Sequence, residues 1–276
     1  MKTHRQLANH CIIYDDECPM CALYTGAFVS MDFLDQKGRK PFSQMNPDQF
    51  PNLNLNRSKN EIPLVDTATG QVTYGLRSLL KILSHRWAIF GLVEKVPPLF
   101  WLISKFYSFI SFNRKVIVPG SGDGKACVPT FQLKYRMLYL VFGLLFTAFT
   151  YSAFSRLMPL SELPFHWIGW LGIVVGQLVV PLLLMWNKPL ERVMEYLGNL
   201  VTIMIIGALL MLPATGLAVV VAVPAMAFIP YLVLVIGIVA KEHSRRVQLL
   251  ELDRWLLIGW SIYWVIALNM ITIVSL

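Results

Sequence analysis

Near the start of the chain, the stretch YDDECPMC (residues 14–21) puts two cysteines three positions apart, directly behind three acidic side chains. Two thiols at CxxC spacing can carry out thiol–disulfide exchange. One thiolate attacks a substrate disulfide, and the second thiol resolves the mixed disulfide that forms. The same pair could supply half of a structural zinc site, but such a site takes four ligands. The chain has one CxxC, with no second pair and no histidine pair at finger spacing, so no metal and no cofactor is expected. Cys11 reads as a small core residue. Cys127 reads as a juxtamembrane thiol, with a third redox thiol or a lipidation site as the alternatives.

The flanking segments must position the pair. HCIIYDD (residues 10–16) is a short run rich in β-formers and reads as a buried strand. In PMCALYTGAFVSMDFL the apolar residues Met20, Leu23, Tyr24, Ala27, Phe28 and Met31 recur at helical spacing. Cys18 therefore falls just outside a helix and Cys21 in its first turn, where free N–H groups and the helix dipole favour a thiolate. Cys18 is the expected attacking thiol, exposed to its substrate, and Cys21 the more buried resolving thiol. Asp15, Asp16 and Glu17 put like charge beside Cys18, which disfavours the thiolate and predicts a reducing dithiol. Asp15, at the end of the strand, is also a candidate proton acceptor for the resolving thiol.

Further on, RKPFSQM reads as a second strand, and IPLVD (62–66) and QVTYG (71–75) as a hairpin closed by the turn TATG. LRSLLKILSHRW reads as a helix that closes the sheet. Strand, helix, strand, hairpin, helix is the layout of a thioredoxin-like α/β fold. In the stretch 87–115, Ser104, Ser108, Ser111 and Lys115 share one helical face and Phe100, Ile103, Phe106, Tyr107 and Ile110 another. This amphipathic helix is expected to pack on the domain with one edge touching lipid.

YDDECPMC resembles the DCC family of thiol-disulfide oxidoreductases, called after an Asp and two Cys, which here are Asp15, Cys18 and Cys21. GLRSLLKIL and YSFISFNRK resemble the family's C-terminal pattern, so the likeness runs over roughly residues 10–115. Family members often carry Gly after the Asp, where this chain has Asp16. The resemblance implies a thioredoxin-like domain with catalytic Cys18, Cys21 and Asp15. It further implies a cis-proline, Pro63, before the third strand, facing the CxxC. Ile62, Pro63, Pro19 and Met20 are then the substrate-binding candidates.

Composition separates this segment from the rest. The 276 residues are 56% hydrophobic and only 14% charged, against about 25% charged in a soluble domain, and the mean hydropathy is +0.57. Residues 1–134 hold 16 Lys and Arg against 10 Asp and Glu, and residues 135–276 hold 8 against 6. The expected plan is a soluble domain over 1–118, a linker over 119–134 containing PGSGDGKA, and an all-α membrane bundle over 135–276. Five apolar stretches approach the about 20 residues a span needs: 137–155, 166–186, 197–214, 217–240 and 255–275. PATG between the third and fourth reads as a tight hairpin.

Basic residues cluster in alternate loops: Lys134 and Arg136, then Lys188 and Arg192, then Lys241, Arg245, Arg246 and Arg254. By the positive-inside rule the N-terminal domain faces the cytoplasm and the C-terminus faces out, across the plasma (inner) membrane. MKTHRQLANH carries no secretory h-region, and four cysteines are too few for a disulfide scaffold. No basic stripe with interleaved aromatics points to nucleic acid.

Inside the spans, Gln177 and Asn269 are the polar exceptions and are expected to bond between helices. Gly172 and Gly176 form a GxxxG pair, and Pro181, Pro224 and Pro230 are candidate kinks. His166 is the single histidine at a membrane edge, and no ionisable residue falls near a span centre. No cysteine lies in a span, which excludes a thiol relay within the bundle alone.

The expected function is a membrane-anchored, cytoplasm-facing thiol-disulfide oxidoreductase that reduces protein or small-molecule disulfides. Its partners would be the lipid bilayer, a disulfide substrate and an electron donor. The alternative is a membrane transport or assembly protein whose thioredoxin-like domain senses redox state or docks a partner.

Overall fold

The structure, a computed structural model, describes residues 6–120, 127–158 and 167–274. His166 and the linker residues 121–126 lie outside the described residues. The chain divides into two compact units, Met1–Tyr135 and Arg136–Leu276.

The first unit begins with β1 (His10–Tyr14), α1 (Pro19–Ser30) and β2 (Arg39–Pro41). After the short α2 (Leu55–Ser58) come β3 (Pro63–Asp66), β4 (Val72–Tyr74) and α3 (Leu76–Arg86). The four strands form one sheet in the order β2-β1-β3-β4. β2 runs parallel to β1, with Ile12 opposite Arg39, and β3 runs antiparallel to it, with Cys11 opposite Val65. A sheet with a parallel crossover on one side and a hairpin on the other needs a helix to cover it. The core follows: Ile12, Leu64, Phe33, Leu34, Ile62 and Ile82 are all buried. Burying side chains of this size contributes roughly 1.5–3 kcal/mol each. Gly70, in the TATG turn between β3 and β4, has φ +71°, a conformation that costs glycine nothing.

β2 is shorter than RKPFSQM suggests. Pro41 has no N–H for a further ladder bond, and the chain turns there into a 3₁₀ helix, Phe42–Gln44. Beyond α3 come α4 (Ile89–Lys95) and α5 (Pro97–Ile117). The two expected faces of α5 are not sharply separated: Phe100, Ile103, Tyr107 and Ile110 are half-buried and Phe106 is exposed, while Ser104, Ser108 and Lys115 are half-buried and Ser111 is buried. The polar residues Asn113 and Arg114 near its end are also buried.

The second unit is helical apart from its connections. α6 (Leu133–Ser155), which the unit boundary crosses, precedes α7 (Trp167–Gly176), α8 (Val179–Leu184), α9 (Leu190–Val220), α10 (Phe228–Leu249) and α11 (Trp255–Val274). Among the described residues, four helices are long and apolar enough to cross a membrane: Leu133–Ser155, Trp167–Leu184, Leu190–Val220 and Ala225–Leu249. They mark a membrane protein. α11 is a further apolar helix.

Two expectations fail here for physical reasons. PATG does not form a hairpin, because α9 runs straight through Pro213. An interior proline removes one helix bond, whereas a turn would leave several polar backbone groups unpaired in hydrocarbon. The break comes instead at residues 221–224, where Val221 is extended (φ −130°, ψ 131°) and Pro224 disfavours helical backbone at the residue before it. The fourth helix is therefore shifted toward the C-terminus and carries KEHSRR inside it rather than in a loop.

The candidate kinks also resolve differently. Pro181 accompanies the break between α7 and α8, but Pro224 precedes α10 and Pro230 sits in its first turn, where proline is tolerated. Gln177 does bond between helices, accepting from Trp260 Nε1 at 3.1 Å. Asn269 bonds within its own helix, to Val265 O at 2.7 Å. Gly176 abuts Tyr263, while Gly172 faces open space, so the GxxxG pair is not a single contact.

Candidate functional site: a buried dithiol beside an Asp–Arg pair

Cys18 is the N-cap of α1. Its backbone is extended (φ −95°, ψ 107°) and its Sγ accepts from Cys21 N–H at 3.4 Å. Pro19 occupies the first helical position, where its fixed φ suits a helix and its missing N–H costs nothing. Cys18 N–H donates to Asp15 O at 3.2 Å, and Thr25 Oγ1 donates to Cys21 O at 2.7 Å. The strand end, the tight turn and the helix start thus fix both sulfurs.

The charge expectation is overturned. The Cys18 thiol is lowered to about 7, first by the hydrogen bond from the Cys21 thiol, with the Cys21 N–H and the Arg114 guanidinium adding to it against burial and Asp15. The same hydrogen bond, together with burial, pushes the Cys21 thiol up. Asp16 takes no part, because its carboxylate is turned away to accept from Ser43 N–H at 3.2 Å and Ser43 Oγ–H at 2.6 Å. A stabilised thiolate favours the dithiol form, so the local charge gives no reason for a strongly reducing couple.

Sequence reasoning missed the cation beside the pair. Arg114, near the end of α5, donates from Nη2 to Asp15 Oδ2 at 3.0 Å and to Cys127 O at 2.9 Å, and from Nη1 to Lys59 O at 3.0 Å. Arg114 and Asp15 are both buried, with side-chain exposures of 6% and 3%. Asp15 Oδ1 has no hydrogen-bond partner. In the sequence Arg114 stands among the polar residues Ser111, Asn113 and Lys115 near the end of α5, and nothing there marks it for burial.

The exposure of the sulfurs also differs from expectation. Cys18 is only 3% exposed, against 6% for Cys21, so the attacking thiol is not the open one. Gly120, beyond α5, packs against the residues on either side of Cys18. A Cβ on Gly120 would collide with Glu17 O and come within 3.3 Å of Pro19 Cδ.

A cavity of about 200 Å³ lies behind the pair, lined by Asp15, Met20, Cys21, Ile62, Arg114 and Cys127 among others. Of the substrate-binding candidates, Met20 and Ile62 line it and Pro19 is exposed. Pro63 opens β3 through a trans peptide bond, because no cis bond occurs among the described residues. The Ile62 backbone is already engaged, donating to Tyr107 Oη at 3.1 Å and accepting from Gly75 N–H at 2.9 Å. Gly75 is required there. Its φ is +65°, and a Cβ would press on Glu61 and Tyr107. Cys11 is buried in β1 away from this cavity, and burial raises its thiol to about 11.

The second unit holds ionisable groups that the span assignment had put in loops. His243 is buried and bonds through Nε2 to Tyr196 Oη at 2.9 Å. Arg246 is buried and donates to Asn199 Oδ1 at 2.7 Å and Glu242 Oε1 at 2.8 Å. They tie α10 to α9, as neutral and charged hydrogen bonds do when helices pack in lipid.

Comparison of the chain with protein-family models, with curated proteins and with solved structures returned no match.

Proposed function

We propose that the first unit is a thiol-disulfide oxidoreductase on a thioredoxin-like plan, as the resemblance to the DCC family implies, and that the second unit holds it at a membrane. One observation carries the reading: the Cys18 sulfur caps α1 and accepts from Cys21 N–H at 3.4 Å. The β2-β1-β3-β4 order, with the CxxC between β1 and α1, supports it.

The reaction balances within the site. Cys18 thiolate attacks a substrate disulfide and releases one substrate thiolate, leaving a mixed disulfide. Cys21 then gives its proton to Asp15, whose Oδ1 is free to take it, and attacks Cys18 Sγ. The second substrate thiolate leaves, so the substrate gains two electrons and the pair ends as a Cys18–Cys21 disulfide. Arg114 positions Asp15 through the bond to its Oδ2 at 3.0 Å. The test is reduction of a chromogenic aromatic disulfide by the full chain in lipid nanodiscs. Cys18→Ser and Cys21→Ser should each abolish turnover, and unchanged rates in both would overturn the reading.

The orientation follows from charge. Basic residues precede α6, lie between α8 and α9, and recur from Lys241 to Arg254, while the connection between α9 and α10 has none. The dithiol unit then faces the cytoplasm. A single cysteine at the exposed Lys37 site, in a background lacking the native four, should resist an impermeant maleimide on intact cells. Labelling there would invert the topology.

A second reading rests on the membrane unit. It has an open cavity of about 580 Å³, walled by Tyr151, Phe154, Trp170, Met204, Trp260 and Trp264 among others, a volume suited to a small apolar ligand. On this reading the bundle transports or assembles, and the dithiol unit reports redox state. A cysteine-free chain that keeps its cellular phenotype would favour it.

A further inference from the structure

Cys127 precedes α6 by a few residues and reads from sequence as an isolated thiol. The structure does not leave it isolated. Its side chain is buried, its carbonyl accepts from Arg114 Nη2 at 2.9 Å, and its Sγ lies 3.8 Å from the same nitrogen and 3.8 Å from Ser58 O. It faces the cavity of about 200 Å³ that Cys21 and Asp15 also face, whereas Cys18 is not among the residues of that wall. The free Asp15 Oδ1 and an unpartnered Arg114 Nε belong to the same buried cluster. Cys21 and Cys127, a base and a cation thus share one cavity, and Cys21 is the residue that links it to Cys18, whose Sγ accepts from Cys21 N–H.

We propose that Cys127 is the third thiol of an intramolecular exchange, taking the disulfide from the CxxC to form a Cys21–Cys127 bridge and freeing Cys18. This rests on the oxidoreductase reading above, which supplies the Cys18–Cys21 disulfide. The step needs no further oxidant. Cys127 loses its proton to Asp15 and from there to buffer. Its sulfur attacks Cys21 Sγ, the Cys18–Cys21 bond breaks, and Cys18 leaves as a thiolate. One disulfide is consumed and one is formed.

The direction follows from the leaving group. A thiol of low pKa leaves fastest, and Cys18, lowered to about 7, is the best thiolate of the three. Burial pushes Cys127 up to about 12 and Cys21 also upward, so each is better held in a disulfide than as an anion. The two-electron-oxidised chain should therefore rest with Cys18 free, ready for a second substrate or a partner thiol.

The test uses the full chain in nanodiscs, reduced, freed of reductant and oxidised with one equivalent of a chromogenic aromatic disulfide. It is then quenched in acid, alkylated and mapped by non-reducing peptide mass spectrometry. The expected result is a Cys21–Cys127 linked peptide with alkylated Cys18. Thiolate absorbance near 240 nm should persist in the oxidised chain at pH 8, and be lost in oxidised Cys127→Ala. A final Cys18–Cys21 bridge with alkylated Cys127 overturns the inference and leaves the oxidoreductase reading intact, as does a Cys18–Cys127 bridge. A chain that forms no bridge among the three overturns both.

Discussion

Arg114 and Asp15 stand 99 positions apart in the chain, yet their side chains meet at 3.0 Å in a site where both are buried. Removing one partner of such a pair leaves an uncompensated buried charge, at a cost of about 3–5 kcal/mol. Arg114→Gln and Asp15→Asn should therefore each lower the melting temperature of the full chain in detergent. The double variant should lose less than the sum of the two. Strict additivity would show that the two side chains do not interact.

The Cys18 thiolate gives a pH signature. Its thiol is lowered from 9.0 to about 7, so it is protonated below that pH and ionised above it. Absorbance near 240 nm should rise through a midpoint near pH 7 and be lost in Cys18→Ser. Arg114→Gln should move the midpoint upward, because the guanidinium favours the thiolate. Asp16→Asn should leave it in place, because the Asp16 carboxylate is spent on Ser43. A downward move in Asp16→Asn would show that its charge reaches the sulfur after all.

Gly120 lies against the turn that carries Cys18, with no room for a Cβ between it and Glu17 O. Gly120→Val should lift the chain off that turn and let alkylating reagents reach Cys18 several-fold faster at pH 8. The thiolate midpoint should move little, since neither Cys21 nor Arg114 is touched. An unchanged alkylation rate would mean that Gly120 does not limit access.

In the membrane unit, a Cβ on Gly143 of α6 would run into Val201 and Ile205 of α9. Small residues let helix backbones approach closely in lipid, and overpacking such a contact costs about 1–3 kcal/mol. Gly143→Val should lower the thermal stability of the detergent-solubilised chain. Gly172→Val, at a position with open space, is the control and should have little effect.

Local pattern made the first unit largely legible. The period-3.6 run after Cys18 and the β-branched, turn-bounded strands each depend on neighbours in sequence, so α1, β1, β3 and β4 fell where the pattern put them. The polar partners of the dithiol did not. Arg114 and Cys127 reach it through tertiary packing, and an arginine near a helix end gives no hint that it will be buried. The charge on Cys18 is not legible for the same reason: three acidic neighbours are visible in sequence, whereas the hydrogen bonds from Cys21 and the distant Arg114 guanidinium depend on the fold. In the second unit, hydropathy marked the apolar stretches but could not choose between breaking at PATG and breaking at VAVP. That choice turned on where backbone polar groups could be left unpaired. It also moved His243 and Arg246 from an expected loop into a buried helix face.

The burial of Cys18 has a consequence for its oxidation. Sulfurs that are both ionised at neutral pH and open to solvent are the ones peroxide converts to sulfenic and sulfinic acids. Here the Cys18 thiol is lowered to about 7, yet the residue is only 3% exposed, and Gly120 packs against its neighbours Glu17 and Pro19. Readiness to react and permission to react are thereby set by different parts of the chain. Burial should therefore slow peroxide oxidation of Cys18 relative to an open thiolate of the same pKa.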